Sequence, residues 1–169
     1  MVIVYTKPRS KWAFIGHLIR IFSKNKNQKF KNVPSHMALV FQEVVLEARA
    51  GGVILTELKD FRKKNEIIKT FRSRSLDMMD ANEVFNNGIL RLLGRGYDYL
   101  GVLWYGFFLL RRRIFKLDLP DMSLWQSTRR FYCSELIKII SDSTEYKHLT
   151  PNDQMNSLKQ RDNYYQVNF

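Results

Sequence analysis

The apolar positions change period several times along the chain, and each change marks an element. Val2 to Tyr5 is a β-branched and aromatic run that Lys7-Pro8 interrupts, the pattern of a first strand. Ser10 then stands where a helix cap belongs, and Trp12, Phe14, Ile15, Leu18, Ile19 and Phe22 recur with helical spacing. "SKNKNQKFKN" is a polar basic loop. "SHMALVF" from Ser35 and "VVLEARA" from Val44 read as two strands joined by the short Gln42-Glu43 connection, a hairpin without the Asn-Gly turn signal. Gly51-Gly52 releases the backbone before a third strand, Val53 to Leu55, and Thr56 is placed to cap the short charged segment "ELKDFRKK". "EIIKTFR" gives a further strand. A helix of mixed face is expected from about Asp77 to Leu93, stopped by "GRG", and "YDYLGVLWYGFFLLRRRIF" forms a second, strongly apolar one. Leu117 to Thr128 reads as loop, Cys133 to Ile140 as a helix burying Leu136, Ile137 and Ile140, and "NYYQVNF" as an edge strand. Repeats, linkers and low-complexity tracts are missing, so residues 1–169 are expected to form one α+β domain with a mainly antiparallel sheet.

Charge adds a partner class to this picture. The chain carries a formal net charge of +12 over 169 residues. Its first 42 residues hold no Asp or Glu, but they include Lys7, Arg9, Lys11, Arg20, Lys24, Lys26, Lys29 and Lys31. With Arg111, Arg112 and Arg113 further on, these residues predict a positive surface suited to a membrane, cell wall or nucleic acid, and the charge alone does not choose among them. The longest apolar run, Tyr99 to Leu110, is far shorter than the roughly 20 residues of a spanning helix, so no transmembrane segment is expected. The opening "MVIVYTKPRS" lacks the layout of a signal peptide, from which a cytoplasmic protein, of cellular, viral or phage origin, is expected. One cysteine excludes a disulfide framework and a cysteine-rich zinc site. His17 and His148 have no second ligand at metal spacing, and Gly94-Arg95-Gly96 is too short for a phosphate loop, so neither metal nor cofactor is expected.

Register then brings in chemistry. If Gln42 and Glu43 make a two-residue turn, Phe41 faces Val44 and Ala38 faces Glu47, which puts His36 and Glu47 on one face as diagonal neighbours. A carboxylate there orients an imidazole and holds its tautomer. A loop longer or shorter by one residue would destroy the arrangement by turning one strand over. Cys133 begins an amphipathic stretch after Phe131-Tyr132, and a thiol at a helix N-terminus is favoured as thiolate by the dipole and the free N–H groups. Those N–H groups also suit an oxyanion. Nucleophile, base and orienter are the parts that cysteine hydrolysis needs, although a lone cysteine or histidine is more often a packed residue.

"PSHMALVF" with "VVLEARAGGV", then "GYDYLGVLWYGF", "RRFYCSELI" and "LTPND", resemble in order and spacing the circularly permuted NlpC-like branch of papain-like cysteine hydrolases, which includes the YiiX-like proteins and the lecithin:retinol acyltransferase relatives. There the histidine strand comes first and the cysteine helix last. The resemblance, over about residues 1–155, implies a permuted papain-like fold, a central mainly antiparallel sheet packed with helices. It further implies Cys133 as nucleophile, His36 as general base, Glu47 as the residue orienting it, Tyr97 near the oxyanion, and Pro151 shaping the turn after the cysteine helix. The expected function is a cysteine hydrolase, an amidase or peptidase acting on cell-wall or other peptide and isopeptide bonds through an acyl-enzyme thioester. A lipid acyltransferase or thioesterase at an anionic membrane is the alternative within that chemistry. A non-catalytic basic module for nucleic acid, lipid or an acidic protein is the alternative outside it.

Overall fold

The computed structural model describes residues 1–11, 13–74, 78–115, 130–131, 133–134 and 150–168. Strands β1 (Val2–Pro8), β2 (His36–Phe41), β3 (Val44–Arg49), β4 (Gly52–Glu57) and β5 (Asn65–Ser73) form one antiparallel sheet with the C-terminal strand β8 (Tyr164–Gln166), in the order β4-β3-β2-β1-β5-β8. Two short strands, β6 (Gly96–Tyr97) and β7 (Arg130–Phe131), pair in parallel elsewhere. The class is α+β with a six-stranded antiparallel sheet, and the expected tail strand is its edge, pairing Arg72 with Tyr165.

Two cores explain why β1 reads as an unbroken apolar run. Val2, Val4, Ala38, Val40 and Val45 point to one face, where Leu58 and Phe61 of helix α2 (Leu58–Lys64) cover them. Ile3, Tyr5, Met37, Leu39, Leu46, Ala48 and Phe71 point to the other and pack with Phe85 and Leu92 of α3 (Met78–Leu92), and with Met155 and Leu158 of the last described helix, α5 (Pro151–Leu158). Successive side chains of a strand face opposite sides, so a central strand covered twice has no polar face. The outer edge of β4 is also occupied: Val53 donates its N–H to the Arg95 carbonyl at 2.8 Å and accepts from Gly94 at 2.9 Å.

The hairpin has the expected register, Leu39 opposite Leu46, Val40 opposite Val45 and Phe41 opposite Val44. Gln42 takes the positive φ of a primed turn, 52°, which a two-residue hairpin connection requires. Two expected caps are corrected. Helix α1 (Phe14–Ser23) begins without a side-chain cap, at Ala13, because Ser10 sits in a preceding turn in which its carbonyl accepts from Ala13. Thr56 lies inside β4, and α2 starts after Glu57 with no side-chain cap. Pro151 does more than shape a turn: it is the first residue of α5, behind Thr150 and Asp153, which form a reciprocal capping box. Helix α4 (Tyr99–Phe115) packs against α1. The expected loop from Leu117 to Thr128 and the cysteine helix beyond Ser134 lie outside the described residues, as does Trp12.

Arg20 explains how α1 holds its basic loop. Its guanidinium is buried, donates to the carbonyls of Val33 at 2.8 Å and Phe30 at 2.7 Å, and lies 4.1 Å from the centroid of the Phe30 ring. Charge-assisted bonds to carbonyls are about twice as strong as neutral ones, which lets a chain of alternating Lys and Asn close back onto β2.

Candidate active site

His36 is the first residue of β2, opposite Thr6 of β1, and Glu47 stands two residues from the end of β3. Their side chains meet: His36 Nε2 lies 3.1 Å from Glu47 Oε2, with 18% of the histidine side chain and 5% of the glutamate side chain exposed. The other carboxylate oxygen accepts from the Thr56 hydroxyl at 2.9 Å. Both contacts follow from register. Val45 pairs with Thr56 and Glu47 with Ile54, so Thr56 is the diagonal neighbour of Glu47 on the face that also carries Ala38 and Val45.

Cys133 reaches this pair from the opposite core. The parallel pairing of β6 with β7 sets Tyr97 beside Phe131, two residues before the cysteine, and Cys133 and Ser134 are helical. Cys133 is buried and belongs to the same core as Met37, Leu39 and Ala48. Gln154 of α5 holds the turn by donating to the Ser134 carbonyl at 3.3 Å. Because His36 begins its strand, the imidazole extends past the strand's end, and its side chain hydrogen-bonds Cys133 as well as Glu47. With Nε2 occupied by the carboxylate, Nδ1 is the nitrogen left to face the sulfur.

The electrostatics of the three groups are linked. Burial disfavours the charged imidazole, but its hydrogen bonds with Cys133 and Glu47, and the charge on both, outweigh that and raise the His36 pKa from 6.5 to about 10. For Glu47, burial pushes the pKa up, while the bond and charge of His36, the Thr56 hydroxyl and the Arg49 charge bring it below the usual carboxylate value. The trio therefore holds a protonated imidazole between the Glu47 carboxylate and the Cys133 side chain, in a site mostly closed to solvent.

Two concavities open on it. The first, about 250 Å³, is almost wholly apolar: Leu18, Ile19 and Phe22 of α1 and Val102 and Phe107 of α4 line it, Thr150 and Pro151 close one side, and Cys133, Ser134 and Tyr97 form part of the wall. The second, about 480 Å³, carries His36, Glu47, Arg49, Lys64 and Asn65 and shares Ile15, Ile19, Tyr97 and Val102 with the first. Tyr97 thus belongs to both walls, in edge contact with the Tyr99 ring at 5.0 Å. All four site residues expected from the sequence are brought to one place. Thr56, and Gln154 of α5, which holds the cysteine turn, were not foreseen. Ala50-Gly51 as a second two-residue turn would have located Thr56, since Arg49 then faces Gly52 and Val45 faces Thr56. Among the described residues no three His, Cys, Asp or Glu side chains are grouped to hold a metal ion.

No protein-family model, curated protein sequence or solved structure matches the chain.

Proposed function

We propose that this protein is a cysteine-dependent acyl hydrolase or acyltransferase of permuted papain-like architecture, with Cys133 as nucleophile, His36 as base, Glu47 as orienter and Thr56 as the residue that fixes Glu47. The observation that carries the proposal is the imidazole of His36 hydrogen-bonded at once to Glu47 and to Cys133, beside an apolar cavity. With the proton already held on the imidazole, Sγ attacks the carbonyl carbon of the substrate as the thiolate. The tetrahedral oxyanion is held by the amides of the cysteine turn and by the Tyr97 hydroxyl. Collapse expels the leaving alkoxide or amine, which receives the proton from the imidazolium and leaves an acyl thioester on Cys133. Water or another hydroxyl, deprotonated by His36, then attacks the thioester and releases the acid or the transferred ester, regenerating the thiol.

The shape of the site favours one branch of substrates. A peptide stem carries polar groups along its length, whereas among the described residues lining the cavity beside the sulfur, side-chain polar atoms come only from Tyr97, Cys133, Ser134 and Thr150. It is larger than the about 150 Å³ that accepts benzene in an apolar protein core. An apolar acyl portion enters this cavity, and the polar remainder of the substrate lies in the adjoining groove near Arg49, Lys64 and Asn65. On this ground we propose the lipid branch ahead of cell-wall peptide.

The test has two readings. Alkylation by iodoacetamide is expected to stay fast below about pH 7 in the native chain and to become slow there in His36→Ala, as an imidazole-supported thiolate requires. Mass spectrometry after p-nitrophenyl octanoate is expected to show an octanoyl adduct on Cys133, formed faster than an acetyl adduct from the acetate and lost in Cys133→Ser. Identical pH profiles in the two proteins, together with no adduct from either ester, would return Cys133 to a packing role.

A further inference from the structure

We infer that the face formed by α1 and α4 around the mouth of the apolar cavity docks on the surface of an anionic lipid bilayer. Isolated exposed apolar residues are ordinary on any protein, but here they line up on two helices that pack together. On α1, Phe14 is 70% exposed and Ile21, seven residues later, lies on the same side of the helix. On α4, Leu100 is 55% and Phe107 50% exposed, again seven residues apart. Two turns of helix separate the members of each pair, so each pair makes a line along its helix.

Three of the exposed residues carry a second role. Ile15, Phe107 and Leu110 are open to solvent and also line the cavity that ends at Cys133, so they form its rim. The apolar outer face is thus continuous with the interior of the site. The rim is stiffened by aromatic contacts, with Trp104 4.7 Å from Phe108 and 6.2 Å from Phe107 between ring centroids.

Charge selects the occupant. Neither α1 nor α4 contains an acidic residue. Exposed Lys11 precedes α1, exposed Lys24 and Lys26 follow it, and Arg111 of α4 sets its guanidinium 5.9 Å from the Phe107 centroid, with Arg112 and Arg113 next in sequence. Apolar rings flanked by cations, without carboxylates, are the makeup of elements that lie in a headgroup layer, where each Lys or Arg near an anionic leaflet contributes about 1 kcal/mol. A nucleic acid would meet the cations and leave Phe14, Leu100 and Phe107 in water. A second copy would bring one cationic face against another at a net charge of +12 each. No helix among the described residues is long and apolar enough to cross a membrane, so the docking is on the surface.

The inference goes beyond the proposed chemistry, and its test does not need that chemistry. Cys133→Ala protein is floated with vesicles of phosphatidylcholine, alone or mixed with phosphatidylserine. Binding to the mixed vesicles, weakened by NaCl, is expected, with little to the neutral ones. The pair Phe14→Asp with Phe107→Asp, at exposed positions that leave the circular dichroism unchanged, is expected to lower partitioning by at least about 10-fold. Lys24→Glu with Lys26→Glu should remove much of the salt dependence. Absence of binding to the mixed vesicles would overturn the inference, as would binding that both apolar substitutions leave intact. A dimer in sedimentation that those substitutions dissolve, without vesicle binding, would assign the face to a second copy and overturn it as well. Failure on vesicles with a normal octanoyl adduct on the native chain sinks the docking alone; docking without any adduct sinks the chemistry alone.

Discussion

Glu47 is a buried carboxylate whose two oxygens have one partner each, and that pairing fixes how the trio responds to pH. The His36 pKa is raised above an unfolded value of about 6.5, so the stability it contributes is fully present below that pH and is lost as pH climbs toward about 10. The Glu47 pKa is lowered, so its contribution is present above about pH 4.3 and lost as pH falls through its folded value. Urea midpoints measured across pH are expected to decline on both sides, and Glu47→Gln is expected to bring the alkaline decline to lower pH and to remove its own share of the acid one. Thr56→Val keeps the shape of the side chain but deletes the hydroxyl that favours ionised Glu47. Its acid decline should therefore be smaller and end at higher pH, with a loss of about 1–3 kcal/mol near neutrality for the unpaired oxygen. The His36–Glu47 contact was legible because parity in a hairpin depends only on the length of its turn. Thr56 was not, since a threonine before a charged segment serves as cap or as strand residue with the same letters, and only the next register tells them apart.

Elements were legible where one period dominated. The hairpin, "EIIKTFR" as β5 and both long helices follow directly from apolar spacing. The place of β5 beside β1 does not, because that pairing joins distant segments and depends on which edge remains free after β2 has paired. Helix α5 stands where the resemblance implies only a turn shaped by Pro151; proline suits a first helical position, and Thr150 and Asp153 around it satisfy the first free N–H groups. Gly52 shows how closely the elements are fitted. It sits at φ 107°, and a Cβ there would collide with the Arg95 carbonyl that pairs with β4. Gly52→Ala is expected to cost about 2 kcal/mol or more by urea denaturation, from strain and a displaced edge. Gly51→Ala, next to it, has no atom within 4 Å of its new Cβ and should be close to neutral.

The whole molecule carries its charge unevenly, and its stability should register that. At +12, mutual repulsion opposes the compact state, and counterions relieve it within the first tenth of a molar or so of salt. A scan of thermal unfolding in NaCl is expected to show the midpoint rising at low ionic strength and then levelling, by about 2–4 °C for each kcal/mol of repulsion screened. Charge and its sign were legible from composition; the cavity was not, because its walls come from four separated stretches that no local pattern connects. That same dispersion has a meaning for biosynthesis. The strand bearing the imidazole leaves the ribosome before the sulfur, and the helix that shuts the cavity leaves after both. A chain released before that helix has been made therefore lacks one wall of the cavity, and the imidazole waits for the sulfur until the stretch between them has been synthesised.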